Sequence, residues 1–141
     1  MMTTDKAPIE DFHNSRFQVG QIWEYQTRTA DPNSTLQILK VEKLYGAEIA
    51  VHIQVNGLNL KSNPEKKDSG TASHLPFSED AIEASVTQLV VAKESLPQDF
   101  EKGYQMWREA FLEGKAGVFA MPIARVVNMI EETMFGESQS E

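Results

Sequence analysis

The chain has 141 residues, 40% of them hydrophobic and 24% charged, with a formal net charge of −8 and no cysteine. That is enough for one domain with a sizeable core, and it excludes disulfides, thiolate nucleophiles and cysteine-based zinc sites. Residues 1–60 carry seven acids and five bases, whereas 61–141 carry fourteen and eight, so the second half holds most of the negative charge. Nucleic acid needs a basic surface and anionic membranes repel an acidic one, so neither is an expected partner. No apolar run approaches the ~20 residues of a membrane helix, and the first eight residues lack the apolar stretch of a secretory signal. The expected location is cytoplasmic.

Residues 1–14 show little periodicity and predict a loose arm ahead of a single domain over 15–135. A first strand is expected over 18–28, with Val19, Trp23, Tyr25 and Thr27 on one face. Asp31-Pro32-Asn33-Ser34 is a strong turn signal. A second strand follows from Thr35 to Leu44. Its apolar residues fall on both parities, which implies two partly buried faces or a bulge near Leu39. Ile49, Val51, Ile53 and Val55 alternate with Glu48, Ala50, His52 and Gln54 in the clearest strand. Asn56-Gly57 signals a hairpin into a return strand carrying Leu58 and Leu60. Sheet residues thus span 17–61, and a polar mobile loop spans 61–74.

The period then changes from two to between three and four, so 75–135 reads as a helical half. Ser78 is an expected N-cap for a helix burying Ile82, Val86, Leu89 and Val90. A second helix over 97–113 aligns Phe100, Tyr104, Trp107 and Phe111 within about 60° of one another, and Gly114 ends it. Residues 115–120 form a candidate short strand. A last helix from Pro122 to about Met134 buries Ile123, Val126, Val127 and Ile130, and 136–141 reads as a frayed tail. The fold class is α+β: a curled antiparallel meander of four to five strands, a candidate SH3-like barrel, with about three helices covering one face.

Chemistry is sparse in the pattern. There are three histidines, at 13, 52 and 74. His13 lies in the arm, and His52 shares its strand face with Glu48 and Gln54, which places it at an exposed or rim position. His74 follows the mobile loop, and loops held by rigid elements often carry function. Metal motifs, phosphate-binding glycine patterns and a nucleophile elbow are all absent, so no metal, cofactor or catalytic residue is assigned.

The segment Val19-Gly20-Gln21-Ile22-Trp23 resembles the first strand of several SH3-like barrel domains, including bacterial messenger-RNA-cleaving toxins. The likeness covers five residues, and the acidic chain lacks the basic groove those toxins use, so no functional residues carry over. The composition predicts a small acidic bacterial-type protein that binds another protein as an inhibitor, immunity or adaptor module. The alternative is a small-ligand domain whose pocket, between sheet and aromatic helix, is lined by Trp23, Tyr25, His74, Tyr104 and Trp107. A third reading is an enzyme using His74 or His52 with a distant carboxylate.

Overall fold

A computed structural model describes residues 7–60, 70–98 and 100–135. The expected mobile loop lies largely outside these residues, as does the tail at 136–141. The sheet has six strands, β1 (Ile9–Asp11), β2 (Ile22–Tyr25), β3 (Thr35–Leu44), β4 (Glu48–Asn56), β5 (Ala72–Ser78) and β6 (Val86–Val91). The helices are α1 (Glu79–Ser85), α2 (Phe100–Leu112) and α3 (Ile123–Phe135). Strand order is β5-β4-β3-β2-β6, all antiparallel, with β1 also paired to β3. The α+β class and the meander therefore stand. Since β5 and β6 lie at opposite ends of the sheet, it stays open and is no closed barrel.

The ambiguous parity of β3 has a local cause. Ile38 pairs with Ile53 and Lys40 with His52, so Leu39 is an extra residue, a bulge that resets the alternation. Leu36, Ile38 and Val41 consequently share one face with Val51, Ile53, Val55, Leu75 and Phe77. Ala81 and Ile82 of α1, and Ile123, Val126 and Val127 of α3, cover that face. Each Val, Leu, Ile or Phe side chain among them, fully buried, contributes about 1.5–3 kcal/mol. Leu39, Leu44 and Ala50 turn to the opposite face, where α2 supplies Phe100, Tyr104 and Trp107. Helices thus cover both faces instead of the one expected, because both parities of the central strands are buried.

Other differences follow from β-branched residues and from pairing. The expected helix after Ser78 does start there, with the Ser78 hydroxyl accepting the Ala81 N–H at 3.1 Å. It ends at Ser85, because Val86-Thr87-Gln88-Leu89-Val90-Val91 favours strand and joins the free edge of β2. Two register shifts interrupt that pairing, and Leu89 and Val90 are exposed instead of buried. The 58–60 return strand does not form. β4 pairs instead with β5, beyond residues 61–69. A short strand (β1) emerges from the expected arm, and the candidate strand at 115–120 reduces to one bridge between Phe119 and Phe77.

Arg28 clamps the far end of the sheet. It donates to Asp31 at 2.6 Å and to Glu131 of α3 at 2.7 Å, and Asp31 also accepts the Asn59 N–H at 2.7 Å. Burial works against ionisation of Asp31, but these hydrogen bonds outweigh it and hold the carboxyl below its usual value.

Candidate functional site

Consecutive side chains of a strand point to opposite faces, so the bulge at Leu39 also decides where the polar residues go. It sends Lys40 and Glu42 to the face covered by α2, where β4 already presents His52. Across the next ladder, Pro76 lies opposite His52 and Leu75 opposite Ile53, so His74 is the diagonal neighbour of His52 on that face. Long side chains reach one another across such diagonals. Glu42, His52 and His74 therefore form an oblique row over three adjacent strands.

The row is hydrogen-bonded throughout. His52 Nε2 lies 2.9 Å from Glu42 Oε1, and His52 Nδ1 lies 2.9 Å from His74 Nε2. Tyr104 on α2 donates its hydroxyl to Glu42 Oε2 at 2.5 Å, and Arg108, one turn on, donates to the Tyr104 oxygen at 3.3 Å. A carboxylate only accepts, so His52 must carry its proton on Nε2. In the neutral ring Nδ1 is then an acceptor, which requires His74 to hold its own proton on Nε2. The lone pair of His74 Nδ1 is left at the outer end. That nitrogen has no hydrogen-bond partner among the described residues. No buried side-chain nitrogen or oxygen there lacks one, so Nδ1 reaches the surface.

Burial and contacts fix the charge states. His52 is wholly buried, and desolvation lowers its pKa despite the attraction of Glu42. His74 is half-buried. Desolvation, then the neighbouring His52, lower its pKa to about 4. Burial opposes ionisation of Glu42, yet the bonds from His52 and Tyr104 prevail and hold its pKa below the usual carboxylate value. Tyr104 is pushed up to about 12 by burial and by its bond to Glu42. At neutral pH the row thus reads carboxylate, neutral imidazole, neutral imidazole.

Packing holds the row rigid. The His52 ring meets Tyr104 and Trp107 edge-on, at 5.2 and 4.7 Å between centroids, and stacks on His74 at 5.0 Å. Trp107 is itself anchored by donating Nε1–H to the Gly117 carbonyl at 2.8 Å. Gly103 explains how α2 comes so close. A Cβ there would stand 3.2 Å from the Cβ of His74, so a residue that normally weakens a helix interior is needed for the approach.

Of the expected ligand-binding residues, the structure brings together His74, Tyr104 and Trp107. It separates Trp23 and Tyr25, which lie in the apolar cluster on the opposite face of the sheet. The five therefore line no common pocket. His52 is corrected from a rim position to the buried centre of the row, because α2 covers the face it shares with Gln54. Glu42 and Lys40 were missed. The shifted parity after Leu39 hides their face, and a mid-helix glycine beside an aromatic stripe was the one available hint of close packing. Among the described residues no three or more His, Asp or Glu are placed to hold a metal ion, and no helix is long and apolar enough to cross a membrane.

Hollows also lie away from the row, among the described residues. One, of about 410 Å³, opens between the bulge of β3 and the first turn of α2. Another, of about 250 Å³, is an apolar groove formed by Phe119, Val126, Met129, Ile130 and Thr133 along α3. Compared with known proteins, the chain matches no family model, no curated protein and no solved structure.

Proposed function

We propose that this protein is an enzyme in which His74 acts as a general base, held and polarised by His52 and Glu42. The observation that carries this reading is the unbroken hydrogen-bonded row from a buried carboxylate, through a buried imidazole, to an imidazole whose free lone pair reaches the surface. A base positioned in this way takes a proton from water or a substrate hydroxyl at Nδ1. The charge that develops on His74 is shared along the row toward Glu42, whose negative charge lies within the fold. Glu42, His52 and Tyr104 are positioning residues, and only His74 would touch the substrate. General-base catalysis contributes at most about 10²–10⁴-fold; a pKa of about 4 keeps the His74 lone pair available at pH 7 but makes it a weaker base than an ordinary imidazole. The reaction class that fits is hydrolysis of a small activated carbonyl compound by water, since the row contains no serine, threonine or cysteine and the Glu42 carboxylate is buried behind His52.

The test uses p-nitrophenyl acetate hydrolysis beside acylation by diethylpyrocarbonate. His74 should be acylated and His52 should not. His74→Gln should remove the hydrolysis above background, and Glu42→Gln should lower kcat more than it changes KM. Equal hydrolysis by wild type and His74→Gln would contradict the reading. The protein-binding role expected from composition has one observation in its favour, the apolar groove on α3 with its exposed Met129. That role asks nothing of His74, so a variant at 74 that is neutral in both assays would return weight to it.

A further inference from the structure

The 410 Å³ hollow exists because the outer edge of β3 is divided between two strands. β2 pairs with residues 35–37 and β1 with 42–44, and the bulge at Leu39 bends the chain between them. The β1–β2 connection, the segment after β6 and the start of α2 close around this gap. Its back wall is apolar and sealed: Phe17, Leu39 and Phe100 are 1%, 1% and 4% exposed. Its rim carries both signs of charge, Lys40 and Lys93 against Asp11 and Glu101. None of these four makes an ion pair among the described residues, although they surround one opening. The size falls within the range of about 300–1,000 Å³ usual for small-molecule sites, which combine apolar walls with a few polar groups.

We infer that this hollow binds a small zwitterion with an apolar side chain, of the α-amino acid type. The apolar group would lie against Phe12, Val19 and Leu96, the apolar lining side chains that keep accessible surface. The carboxylate would face Lys40 and Lys93, and the ammonium would face Asp11 and Glu101. A ligand with one charge would leave one sign of the rim unanswered, whereas a zwitterion engages both. Lys40 also joins the hollow to the histidine row, because its ammonium lies over the Tyr104 ring at 5.1 Å from the centroid. A bound carboxylate would therefore compete with that ring for the same cation. The inference stands apart from catalysis at His74 and survives if that reading fails.

L-phenylalanine, 3-phenylpropionate and phenethylamine share the aromatic group and differ only in charge. Each would be titrated into the ¹⁵N-labelled protein, with amide shifts followed at 12–19, 39–41 and 93–101. L-phenylalanine should give saturable shifts confined to these segments, with an affinity about tenfold or more above either singly charged analogue. Lys40→Met, which keeps the stem but not the charge, should abolish the advantage over phenethylamine. Glu101→Gln should reduce the advantage over 3-phenylpropionate. Leu96→Trp, which fills the hollow, should abolish binding while the spectrum stays folded. The inference fails if L-phenylalanine gives no saturable shifts there. It fails equally if either analogue binds as tightly, or if Lys40→Met leaves the preference unchanged.

Discussion

The two faces of the central sheet come from the same strands but are built on different terms. The face under α1 and α3 is apolar at its centre, from Leu36 and Ile38 to Ile53 and Phe77, with its polar pairs, Tyr25–Ser34 and Arg28–Asp31, at one end. The face under α2 mixes Leu39, Ala50, Phe100 and Trp107 with Glu42, His52, His74 and Tyr104. Burying polar groups is costly unless every one is paired, and among the described residues every buried side-chain nitrogen and oxygen is. The apolar face therefore supplies stability, while the α2 face spends part of its burial on a fixed arrangement of donors and acceptors. That contrast is the ground on which chemistry is proposed for the second face.

The largest expected effect lies on the apolar face. Phe77→Ala, at a wholly buried position, should cost about 3–5 kcal/mol in urea unfolding. His52→Ala should come next, at about 2–4 kcal/mol, since it leaves Glu42 buried and without its imidazole partner. The smaller deletion Tyr104→Phe should cost about 1–2 kcal/mol and raise the Glu42 pKa. If His52→Ala cost nothing, the polar row would be dispensable to the α2 face and the contrast would collapse.

The faces should also differ in pH response. A histidine whose pKa is depressed on folding binds its proton more readily in the unfolded chain. Its contribution to stability is thus complete above its ordinary value of 6.5 and lost as pH falls toward about 4 for His74. His52, also depressed, acts in the same direction. Glu42, depressed below the carboxylate range, extends the loss at still lower pH. Stability of the wild type should fall over this acid window, less steeply than one full proton per group because His74 is partly solvated. A His52→Leu/His74→Leu variant should show a flatter profile. The smallest effect is expected from Gly103→Ala. A gain of about 1 kcal/mol in helix propensity opposes the tight contact with His74, so net stability changes little while the His74 resonances move.

The apolar face was largely legible in the sequence and the polar one was not. Alternation in Ile49–Val55 and the stripe Ile123, Val126, Val127 each identify one buried side, and the structure buries them. Ser78 as a cap and Gly114 at the end of α2, where φ is +78°, are local signals that work locally. Residues 86–91 misled because a strand with apolar residues at 86, 89 and 90 also fits a helical period, and only pairing with β2 resolves the ambiguity. The site depends on that kind of long-range pairing. The face on which Glu42 lies is undefined until the bulge at Leu39 is known. His52 reads as a rim residue until α2 is seen to cover it, and His74 gains its partner only when β5 pairs with β4 across residues 57–71. Nothing in the residues beside any one of them announces the other two.

The most direct measurement is a ¹⁵N NMR titration of the imidazole rings from pH 8 to pH 3. The account predicts that His52 and His74 are both neutral Nε2–H tautomers at pH 7, and that His74 takes up its proton only near pH 4. An Nδ1–H tautomer for either ring, or a His74 that takes up its proton near the ordinary histidine value of 6.5, would contradict it.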